Sequence, residues 1–94
     1  MKEYQLPTIR SYGNYSSDNY GAHTLEVSVP GLGTFYFSYE TVIAFRGPDG
    51  LRVSENCWGP TTGKHLNWID RGRKESRLSR RDFEKELSEL LKRR

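Results

Sequence analysis

Residues 22–29 alternate apolar and polar side chains with period two. A strand there carries His23, Leu25, Val27 and Val29 on one face and Thr24, Glu26 and Ser28 on the other. Pro30-Gly31-Leu32-Gly33 is turn chemistry, and residues 34–39 resume as a second strand with Phe35, Phe37 and Tyr39 on its core face. Residues 41–46 form a short apolar run rich in β-branched and aromatic side chains, as expected of a central strand. Gly47-Pro48-Asp49-Gly50 predicts a tight turn, because Pro presets φ and Asp-Gly accommodates positive φ. Residues 51–55 then close a hairpin. A further strand within residues 4–12 is expected at a sheet edge, since Pro7 cannot donate to a ladder.

The period changes in the second half. Ser79 stands where an N-cap belongs, with Asp82 in the first turn, where a carboxylate faces the positive end of the helix. Phe83, Leu87, Leu90 and Leu91 follow at helical spacing, so one apolar stripe runs along a helix over 80–92, roughly 20 Å long at about 1.5 Å per residue. A shorter helix is expected over about 62–70, capped by Thr61 or Thr62 and ended before Gly72. The pattern predicts an α+β fold: an antiparallel sheet of four or five strands, with the short helix and the longer C-terminal helix packed on one face. One small domain is expected over residues 1–94, with the sheet in 4–56, a basic linker at 71–78 and a single core burying roughly 60–65% of the unfolded surface.

Composition narrows the classes. No apolar run approaches the roughly 18–20 residues a membrane helix needs, and the mean hydropathy is −0.83. Met1-Lys2-Glu3-Tyr4 leads into no apolar h-region, so no secretory signal is expected. The single cysteine, Cys57, suits a reducing compartment, and a cytoplasmic location is expected. Cys57, His23 and His65 are too few and too scattered for a zinc site, whose ligands come in close pairs, so neither metal nor cofactor is expected.

Charge has a direction along the chain. Residues 1–50 hold three cations against five anions, whereas residues 51–94 hold twelve against seven. Within the basic half, the last helix nearly neutralises itself through pairs such as Lys85–Glu89 at i, i+4. The surplus lies in Arg71-Gly-Arg-Lys-Glu-Ser-Arg77, four cations and one anion in seven residues, and in Arg93-Arg94. Such a segment neutralises phosphates without reading sequence. The same charges also suit an ordinary solvated surface.

Other motifs test poorly. Gly59-Pro-Thr-Thr-Gly63-Lys64-His65 has three residues between its glycines and no hydroxyl after the lysine, so it is not a Walker loop. At most, Thr61-Thr62-Gly63-Lys64 at a helix start offers a generic anion site, and an ordinary capped helix with a solvated lysine is the better explanation. Cys57 and His65 are the one sharp nucleophile–base pair, eight residues apart, yet nothing else completes a catalytic site and no nucleophile elbow occurs. Tyr12, Tyr15 and Tyr20 in a Gly/Ser/Asn-rich stretch can stack on bases, bind a protein, or fold back over the sheet edge.

The blocks Asn19-Tyr-Gly-Ala-His-Thr24 and Trp58-Gly-Pro-Thr-Thr-Gly-Lys-His-Leu-Asn-Trp-Ile-Asp70 resemble a family of short proteins from microbial and viral genomes that carries only a domain-of-unknown-function label. The resemblance covers about residues 11–83 and implies a free-standing small domain in a cell or a virus-infected cell. It supplies no activity and no site residues. The expected function is therefore non-enzymatic: a regulatory or accessory protein that contacts DNA or RNA phosphates through Lys64, Arg71, Arg73, Lys74 and Arg77. The alternative is a protein-interaction module using Tyr12, Tyr15 and Tyr20, and the viral association adds the inhibition of a host enzyme.

Overall fold

The computed structural model describes residues 6–12 and 24–92. Among them, β1 (Thr8–Ser11), β2 (Leu25–Val29), β3 (Gly33–Ser38), β4 (Thr41–Gly47) and β5 (Gly50–Val53) form one antiparallel sheet in chain order. Two helices follow, α1 (Pro60–Asp70) and α2 (Arg80–Leu91), so the fold is α+β with a five-stranded sheet. No described helix is long and apolar enough to cross a membrane.

The turns follow their residue chemistry. Gly47 pairs with Gly50 across Pro48-Asp49, and Gly50 takes the positive φ of 106° that the hairpin requires. At the β2–β3 turn, Leu32 N–H donates to the Val29 carbonyl at 3.0 Å. Gly33 enters β3 at φ 155°, and a Cβ there would lie 2.5 Å from the Arg46 carbonyl oxygen, so only glycine fits this approach. Between β3 and β4, Ser38 pairs with Thr41 across Tyr39-Glu40. Tyr39 therefore sits in the turn with φ 58°, exposed rather than on the core face that period-two counting assigned it.

The sheet is covered from both sides, which corrects the expectation that both helices share a face. Tyr36 pairs with Ala44 but Phe37 pairs with Val42, so Ile43 is an extra residue in β4. This bulge lets the consecutive Ile43 and Ala44 both face α1, where they pack with Val53 and Leu66. Phe45 faces the other way and joins Phe35, Phe83 and Leu90, with Val42 and Leu87 packed alongside. The Phe45 and Phe83 ring centroids are 5.4 Å apart. A central strand apolar on both faces needs two covers, and each helix supplies one.

The helix starts differ from each other. Ser79 caps α2 as expected, its hydroxyl accepting from Asp82 N–H at 3.2 Å. Helix α1 begins earlier than 62, with Pro60 in its first turn and no side-chain cap from Gly59. Asn56 instead organises the approach, its Oδ1 accepting from Trp58 and Gly59 N–H while its Nδ2 donates to the Gly59 carbonyl. Thr62, an expected cap, is buried within the helix.

Candidate nucleic-acid interface

Helix α1 lies on the sheet by Leu66, buried beneath it with Thr62, His65 and Asp70. At 3.6 residues per turn this leaves Thr61, Lys64, Asn67 and Trp68 on the solvent side, all exposed. Arg71 ends the helix in the left-handed conformation (φ 57°, ψ 33°) and is exposed as well. Lys64 precedes Trp68 by one helical turn, and Arg71 follows just beyond the end of the helix.

The basic segment after α1 is a shaped element rather than a loose linker. Gly72 turns the chain at φ 82°, and Lys74–Ser76 forms one turn of 3-10 helix. Leu78 then joins the sheet edge, its N–H donating to the Val53 carbonyl and its carbonyl accepting from Glu55 N–H. Between these points Asp70 is the anchor. Its Oδ1 accepts from Gly72 N–H, and Arg77 donates to both its carboxylate oxygens at 2.7 and 3.0 Å. Arg77 also donates to the Asn67 side chain, and the Asp70 and Arg77 side chains are each only 6% exposed.

The cations predicted for phosphate binding thus divide. Arg71, Arg73 and Lys74 are exposed, and Lys64 is exposed on α1. Arg77 is turned inward, and its charge is answered by Asp70. Arg71 and Arg73 border an open cleft of about 410 Å³ floored by Leu51, Val53 and Ile69, while Lys74 borders a second cleft with Gly63 and Asn67. The anion in this segment, Glu75, is exposed in the 3-10 turn. The Thr61–Lys64 block lies inside the helix, where Gly63 N–H donates to the Gly59 carbonyl.

The tyrosine stretch is only partly described. Tyr12 is half-buried, its hydroxyl donates to the Phe37 carbonyl at 2.8 Å, and its ring meets Tyr36 edge-on at 5.5 Å. That is the folded-back arrangement, in which Tyr12 braces the sheet. Tyr15 and Tyr20, like His23, lie outside the described residues.

Cys57 and His65 occupy unlike settings. Cys57 is exposed, and its thiol is directed at the carbonyl and carboxylate of Glu55, both at 3.8 Å. Desolvation, then the Glu55 charge, push its pKa up, the opposite of an activated thiolate. His65 is fully buried, with Nδ1 hydrogen-bonded at 2.7 Å to the hydroxyl of Ser38, which is itself 3.0 Å from the Thr62 hydroxyl. Ser38 is 3% exposed, so this serine–histidine pair is sealed from solvent and serves to pin α1 to β3. Among the described residues, no three His, Cys, Asp or Glu side chains gather as a metal site.

The fold is a small α+β domain in which one exposed lysine on α1, Lys64, is followed by a braced turn that exposes Arg71, Arg73 and Lys74. Residues 7–85 match the model of a family of unknown function, DUF8033, and the chain belongs to that family. No curated protein and no solved structure matches the chain.

Proposed function

We propose that the protein is a non-enzymatic accessory binding protein that holds nucleic acid by its phosphates. The observation that carries this reading is the presentation of the cations. Arg71, Arg73 and Lys74 are exposed on a turn held at one end by Asp70 and Arg77 and at the other by Leu78 in the sheet edge. A braced turn loses little chain entropy when it meets a phosphate backbone, and Lys64 on α1 extends the contact. Phosphate contacts of this kind position a protein without reading sequence, so binding is expected to be sequence-tolerant.

The test is the binding of a labelled oligonucleotide by fluorescence anisotropy at low salt. The wild-type protein is expected to bind, and the triple variant Arg71→Ala, Arg73→Ala, Lys74→Ala is expected not to. Absence of wild-type binding at low salt overturns the reading.

A further inference from the structure

Arg71 and Arg73 stand at the rim of a cleft whose floor is apolar. We infer that this cleft is a nucleotide site, in which an unpaired base lies on Leu51 and Ile69 while the two guanidinium groups hold its phosphate. The inference rests on the phosphate-binding reading above and adds a place for the base.

The cleft has the size and the lining of a ligand site. Its volume of about 410 Å³ falls within the roughly 300–1,000 Å³ of small-molecule sites. Leu51 and Val53 come from β5 and Ile69 from α1, and all three belong to the core between that helix and the sheet, so the floor is fixed by packing. Arg71 and Arg73 are exposed, and among the described residues neither side chain has a hydrogen bond or an ion pair. Asp70 is the one carboxylate in the lining, and Arg77 and the Gly72 amide already engage it. Arg46 is opposite Leu51 in the β4–β5 register and so on the same sheet face, which places further positive charge beside the cleft.

That combination selects its occupant. A phosphate alone needs the cations but has no use for an apolar floor. A nucleotide carries both requirements in one covalent unit, an anionic phosphate and a flat base with apolar faces. Arginine suits both, since its guanidinium pairs with phosphate through two hydrogen bonds and also stacks on aromatic faces. The exposed Ser76 hydroxyl at the rim can donate to or accept from a base edge, so the site stays tolerant of sequence. A duplex keeps its base faces stacked inside and cannot seat one here. Deoxy and ribo strands share this chemistry, and the assay separates them.

The test uses the full chain and three fluorescein-labelled single strands about 15 nucleotides long. These are DNA of mixed sequence, the matching RNA, and a strand with the same phosphates but abasic residues throughout. At least one base-bearing strand is expected to bind about 5- to 100-fold more tightly than the abasic strand. Leu51→Ala and Ile69→Ala should each shrink that difference and leave the affinity for the abasic strand unchanged, with circular dichroism checking that the helices persist. The wild-type protein supplies a measurement free of substitution. Ring currents from a seated base should shift the Leu51, Val53 and Ile69 methyl resonances in NMR, whereas the abasic strand and a blunt DNA duplex should leave them in place. Equal affinity for base-bearing and abasic strands, equal loss on both in the two variants, or methyl resonances unmoved at saturation overturns the cleft inference alone. Failure of all three strands to bind at low salt overturns the phosphate reading beneath it.

Discussion

Asp70 and Arg77 form a two-pronged ion pair across the basic turn, with Nε–Oδ2 at 2.7 Å and a second bond at 3.0 Å. Both side chains are almost wholly buried, and Asp70 also accepts from the Gly72 amide while Arg77 reaches Asn67. A buried pair of this kind adds little net stability over an apolar one, but removing one partner strands the other's charge. Its value here is geometric, because the residues between its ends carry Arg71, Arg73 and Lys74.

Asp70→Asn should therefore destabilise the fold by about 3–5 kcal/mol in chemical denaturation, since Arg77 is left buried without its counter-charge. Replacing both residues by apolar side chains should recover much of that loss. The doubly substituted protein should nevertheless bind oligonucleotide less tightly than wild type, because the turn is no longer braced. A denaturation series on the two variants, paired with anisotropy on the stable one, separates the two effects.

Ser38→Ala removes the hydroxyl that links His65 to Thr62 beneath α1. Leaving buried polar groups short of a partner costs about 1–3 kcal/mol, so the unfolding midpoint should fall by a corresponding amount. Oligonucleotide affinity should not change, because the cluster lies under the helix and the cations lie on its outer side. A loss of binding at full stability would mean that Ser38 acts in function.

Gly33→Ala asks a side chain to enter at φ 155° with its Cβ 2.5 Å from the Arg46 carbonyl oxygen. The neighbour is backbone and cannot swing aside, so destabilisation should exceed about 1 kcal/mol in thermal or chemical unfolding.

The Cys57 thiol should alkylate slowly for an exposed cysteine. Desolvation and the Glu55 carboxylate hold its pKa above the usual thiol range, so little thiolate exists near neutral pH and the rate should climb as pH rises. Glu55→Gln removes one of the two main causes, moving the rate–pH curve to lower pH. Iodoacetamide kinetics followed by mass spectrometry read this directly, and an unshifted curve would show that Glu55 does not govern the thiol.

Both turns flanking the aromatic strands were legible in the sequence because their residue types dictate backbone angles. The Ser79 cap and the apolar stripe of α2 were legible for the same local reason. The placement of the helices was not. Counting by two along residues 41–46 loses phase at Ile43, and only the register with β3 reveals that Ile43 and Ala44 face the same way. The ion pair was equally hidden: seven residues separate Asp70 from Arg77 across an irregular turn, where no periodicity relates one side chain to another. As a result Arg77 reads in sequence as one more surface cation, although the fold turns it inward to position the others.

The central claim is that a few ordered cations hold a phosphate backbone, and the salt dependence of affinity tests it most directly. A logarithmic plot of affinity against salt for a single strand should be linear, with a slope of about −0.7 for each phosphate neutralised, near −3 if Lys64, Arg71, Arg73 and Lys74 all take part. Arg73→Ala with Lys74→Ala should flatten that slope by about 1.4. An affinity that ignores salt, or a slope unchanged by the double variant, would contradict the account.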